Sequence, residues 1–180
     1  MDCHPAGLQL PECSSFVHNG VTTDLARAKM MTSSNIVLLK VEPDSLRRTG
    51  KGTISGRVYL QTNKGGFPGV DWSDIVVAVL CAWLDAINLV SAGSKFQKVH
   101  FMDGPYHVEL THEPQGMISL LLVEDREGGR RQEFSATASA STLRNNAREA
   151  ADLILTKCRQ LGWLNSDIDQ LGQLRDQTSL

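Results

Sequence analysis

The chain has 180 residues, of which 41% are hydrophobic and 21% charged, and its net charge is −2. That balance is typical of a soluble globular domain, and it excludes the broad basic footprint that a general nucleic-acid binder needs to displace counterions. The four cysteines, Cys3, Cys13, Cys81 and Cys158, make no Cys-x-x-Cys pair, so a zinc site or a disulfide framework is not expected and the protein reads as reduced and cytoplasmic.

Met1-Asp2-Cys3-His4-Pro5 lacks the basic start of a signal peptide, and no apolar run of signal length follows it. Residues 1–33 carry Pro5, Gly7, Pro11 and Gly20 without a sustained apolar period. They read as an irregular extension, with a short helix over 23–31. A single α+β domain is expected over 34–176, and a frayed tail over 177–180.

The domain opens with two strands. Val37, Leu39 and Val41 share one face of the first, over 36–41. Ile54, Val58 and Leu60 alternate inward on the second, over 53–62, where Gly56 is read as a bulge. Turn chemistry at Pro43-Asp44-Ser45 and Gly50-Lys51-Gly52 joins them as a hairpin.

A long helix is predicted over 71–92. Asp71 is placed at its N-cap, Asp74 at the acidic position of a capping box, and Gly93 at the left-handed stop. Its ten unbroken apolar residues, 75–84, are too few to cross a bilayer and are bracketed by Asp74 and Asp85. They mark a helix buried nearly all round. Trp72, Val76, Val79, Trp83, Ile87 and Val90 form one face. Asp74, Ala78, Cys81, Asp85, Asn88 and Ala92 form the opposite stripe, the one available to water or a partner. Asp74, Asp85 and Asn88 are the candidate partner-binding residues.

The period then returns to two. Strands are expected over 96–102, 106–111, 117–124 and 132–140, joined by Asp103-Gly104-Pro105, by 112–116 and by a charged tip over 125–130. A second helix, capped by Ser141 or Thr142, runs to Leu161, and a third starts near Ser166. The order β-β-α-β-β-β-β-α describes an α+β fold: a mainly antiparallel sheet, a long central helix, and a C-terminal helix packed on it.

Catalytic signals are sparse. His107 and Glu109 share a strand face with His112 following, which is a minimal donor set for zinc, and Asp103 stands near His100 and His107. A solvated strand face and a turn-forming Asp are the simpler readings. Gly-x-Ser-x-Gly is absent, and Asp71 and Asp74 would repel a phosphate after Lys64-Gly65-Gly66. No catalytic residue, metal or cofactor is assigned.

Three pieces carry a family likeness. They are Phe67-Pro68 with Trp72-Ser73-Asp74 and Trp83-Leu84, the turn Phe101-Met102-Asp103-Gly104-Pro105-Tyr106, and Cys158-Arg159-Gln160-Leu161-Gly162-Trp163 followed by Asp167-Ile168. In this order the chain resembles small bacterial immunity proteins, encoded beside polymorphic or contact-dependent toxins. The resemblance implies a non-enzymatic cytoplasmic protein that binds and neutralises one cognate toxin domain, with no nucleic-acid or membrane partner. It carries over no binding residue. A secretion chaperone or adaptor dimer is the alternative, followed by a metal-dependent hydrolase using His107, Glu109 and Asp103.

Overall fold

A computed structural model describes Met1 and residues 36–177. The chain divides after Ser33, and the described fold belongs to the unit Ser34–Leu180. The expected irregular extension over 1–33, apart from Met1, and the helix expected at 23–31 lie outside the described residues, as do 178–180. Gln177, placed in the tail by the sequence reading, is still helical.

The unit is α+β, with two antiparallel sheets and three helices among the described residues. The first sheet is organised by β3 (Ile54–Thr62). Val37–Val41 (β1) pairs with it in the register Val37↔Thr62 to Val41↔Val58. Three short strands complete the sheet: Arg47–Arg48 (β2), Gly65–Phe67 (β4) and Ser73–Asp74 (β5). Because β1 and β4 both pair with Leu60–Thr62, they lie on opposite edges of β3. Its burial alternates along the strand, with Ile54, Gly56, Val58, Leu60 and Thr62 inward. Gly56 is not a bulge. It pairs in register with Asp74, and a Cβ there would come within 2.7 Å of Leu46 Cδ2, so the position is small to admit Leu46.

The second sheet is a meander in the order β6 (Phe96–His100), β7 (Tyr106–Glu113), β8 (Met117–Arg126) and β9 (Gly129–Ser139). Val99, Val108, Leu110, Leu120, Leu122, Phe134 and Ala136 are buried on one face. A register shift at Leu122/Val123 realigns β8 and β9.

Helix α1 (Val76–Ser91) begins five residues later than the sequence predicts. Ser73 and Asp74 are used instead to pair with Arg57 and Gly56. The N-cap is Ile75, with no side-chain cap, so the expected Asp71–Asp74 capping box does not form. The stop is as expected: Gly93, at φ +103°, donates its N–H to the Val90 carbonyl. Nine of the sixteen α1 residues are buried, and the helix contacts β3, β6, β7 and both later helices. The longest described helix is α2 (Ala140–Gln160), at 21 residues. Ser139 caps it by accepting the Thr142 N–H at 3.1 Å, ahead of the expected Ser141 or Thr142. Asn165 caps α3 (Ser166–Gln177) through Ile168 N–H at 2.9 Å.

Aromatic rings link the two sheets. Phe67 meets Phe101 and Tyr106 edge-on at centroid distances of 5.9 and 5.6 Å, and Trp72 meets Tyr106 at 5.0 Å. Such pairs contribute about 1 kcal/mol each beyond their burial. Among the described residues, no helix is long and apolar enough to cross a membrane.

Candidate functional site

Of the three residues expected to meet a partner, the structure separates Asp74 from Asp85 and Asn88. Asp74 precedes α1 and is 3% exposed. Its carboxylate accepts the Ile75 N–H at 2.6 Å, the Trp72 indole N–H at 3.2 Å and the Asp103 N–H at 3.2 Å. Those three donors fix the entry of α1 to the β6–β7 turn, so Asp74 is occupied inside the domain. Asp85 is exposed and Asn88 half-buried, one turn apart on α1.

The open side of α1 is rotated slightly from the predicted stripe. Ile75, Ala78, Ala82, Asp85, Leu89 and Ala92 follow one another at spacings of three or four residues. All are exposed or half-buried, with Ile75 at 38% and Leu89 at 42%. Cys81 and Asn88 flank this row. Its only charge is Asp85. Ile75, Ala82 and Leu89 were missed by the sequence reading, although their spacing was legible once the helix start was known.

Cys81 is half-buried, and burial pushes its thiol up to about 11, with Asp167 and Asp85 adding to the effect. Asp167 belongs to the first turn of α3, which places that helix beside the Cys81 edge of the row. At pH 7 the thiol is protonated and a poor nucleophile.

The second candidate cluster lies on the β7 face away from the core. His107 is fully buried, with Nε2 3.4 Å from Glu109 Oε1 and Nδ1 3.2 Å from Asp125 Oδ2. Neither contact has hydrogen-bond geometry. Glu109 is also paired with Lys98, at 3.8 Å, and with Arg130. Burial holds the imidazole below its ordinary value, and Lys98 acts in the same direction; Asp125 and Glu109 oppose them. His112 lies on the strand face of Leu110, opposite to that of His107 and Glu109, so the three do not converge. Asp103 is exposed, and its backbone N–H is turned to Asp74. Among the described residues, no group of three or more His, Cys, Asp or Glu is placed to hold a metal ion.

A cavity of about 290 Å³ opens between the β3–β4 hairpin and the β8–β9 hairpin. Lys64, Phe67, Tyr106, Glu124, Arg126 and Glu133 are among its walls. Arg126 holds Glu124 through a hydrogen bond, which keeps that carboxyl below its ordinary range. Arg131 pairs with Glu133 at 2.8 Å. Each of the two carboxylates thus faces a cation within its own hairpin. No protein-family model matches the chain, and neither the curated proteins nor the solved structures contain a protein significantly similar to it.

Proposed function

We propose that the chain is a non-enzymatic immunity protein that acts in the cytoplasm by binding one cognate bacterial toxin domain and blocking it. In this reading α1 is the central helix of the domain, and its open row is the docking face. The observation that carries the reading is that row: Ile75, Ala78, Ala82 and Leu89 leave apolar surface open along a helix in which nine of sixteen residues are buried. Exposed apolar side chains aligned along one helix row are what a protein partner covers. Asp85, at its centre, supplies one charge to set register. The resemblance of the Trp72–Trp83, Phe101–Tyr106 and Cys158–Trp163 segments to immunity proteins supports the partner class.

The test is co-expression with the toxin encoded in the neighbouring reading frame. The wild-type chain should rescue growth and co-purify as a stoichiometric complex. Leu89→Glu and Asp85→Lys should lose both while melting as the wild type does. Absence of both rescue and complex with the wild-type chain would sink the immunity reading. Full rescue by both variants would remove the α1 row as the interface.

A further inference from the structure

We infer that His107 is a proton-operated latch for the β8–β9 hairpin tip. The stereochemistry of its setting leads to this. A neutral imidazole carries one N–H and one lone pair, whereas an ionised carboxylate only accepts. His107 faces a carboxylate on each side, Glu109 Oε1 at 3.4 Å and Asp125 Oδ2 at 3.2 Å. Neither nitrogen is aimed for a hydrogen bond, and whichever one holds the proton, the other sets a lone pair close to an anion. Only the imidazolium can donate to both.

The two carboxylates are not equivalent. The Glu109 side chain is 12% exposed and is held by Lys98 and Arg130. The Asp125 side chain is 54% exposed and stands at the end of β8, where the chain turns through Gly128 and Gly129, both at positive φ. Asp125 is therefore the partner free to move. Two side-chain contacts tie the tip to β7, Arg130 to Glu109 and Asp125 to His107, and the Asp125 N–H also donates to the Pro105 carbonyl at 2.8 Å, so what can move at Asp125 is its side chain.

The other neighbours set the direction. Across from His107 on β6 stands His100, with ring centroids 5.4 Å apart, and beside it Lys98. On β8 its register partner is Val123, which is fully buried and apolar. Burial and Lys98 hold His107 neutral at pH 7. On acidification it takes up one proton, both ring N–H groups donate, and Asp125 is drawn onto β7. The tip Asp125–Arg130 thus gains one tie to β7 in acid and loses it near neutrality, while Arg130 stays on Glu109.

NMR titration of the full chain tests this. The His107 ring resonances should titrate below the ordinary histidine range, and the amides of Asp125–Arg130 should shift with the same midpoint. Asp125→Asn, an exposed change, should lower the His107 midpoint, because it removes a nearby opposite charge. His107→Gln should abolish the tip titration, and His100→Gln should leave it in place. An unchanged His107 midpoint in Asp125→Asn would overturn the latch. So would tip amides that titrate in His107→Gln as they do in the wild type.

Discussion

The side-chain amide of Asn146 holds Leu39 by both of its backbone groups. Oδ1 accepts the Leu39 N–H at 2.6 Å, and Nδ2 donates to the Leu39 carbonyl at 3.3 Å. A helix side chain thereby stands in for a neighbouring strand along the edge of β1, and it fastens α2 to the first sheet. Leu39 is 3% exposed, so water does not readily replace the lost partner. Asn146→Ala should therefore destabilise the domain by about 2 kcal/mol, for two lost hydrogen bonds at a buried peptide. The urea midpoint should fall with the slope unchanged. A loss below about 0.5 kcal/mol, the range of ordinary surface changes, would mean that the clasp is not formed in solution.

Asp74 and Asp85 should behave oppositely, although the sequence placed both on one docking stripe. Asp74 satisfies three donors in a buried setting. Asp74→Ala should cost about 3 kcal/mol, because charged hydrogen bonds are lost and buried N–H groups are left unpaired. Trp72 should report the change in its fluorescence, since its indole N–H loses the carboxylate. Asp85 is exposed on α1, and Asp85→Lys should stay within about 0.5 kcal/mol of wild type. Chemical denaturation of both variants separates the roles. Equal stability losses would contradict the division drawn between them.

The difference shows what local reading of this chain can reach. Alternation made β7 legible, with Val108 and Leu110 inward and His107 and Glu109 on the other face. The stop at Gly93 was legible because a helix end needs a residue that tolerates positive φ. The start was not. Asp71 and Asp74 have capping-box spacing, but the Asp74 carboxylate also serves Asp103, 29 residues away, and no local rule sees that bond. Anchoring the helix at Asp71 made Cys81 and Asn88 central to the open stripe, where the structure centres Ala82 and Leu89. Ala78, Asp85 and Ala92 are common to both. The two- and three-residue strands β2, β4 and β5 have no side-chain period, so they are set by backbone pairing to β3 alone. The pairing of Asn146 with Leu39, 107 residues apart, was equally out of reach.

Cys81 offers a pH test of how α1 is seated. Its thiol is pushed from 9.0 up to about 11, by burial first and then by Asp167 and Asp85. The fold thus favours the neutral thiol. The stability this contributes is fully present below pH 9.0, and it is lost as the pH rises from there through about 11. The same shift slows alkylation, because only the thiolate attacks. At pH 8 the thiolate fraction in the folded chain should be about 100-fold smaller than in the unfolded chain. Cys158, fully buried and also raised by burial, should be protected as well. Mass spectrometry after timed iodoacetamide labelling, with and without urea, measures both sites. Cys81→Ala should flatten the loss of stability between pH 9 and pH 11. Labelling of Cys81 in the native chain at the unfolded rate would show that α3 does not cover that edge of α1.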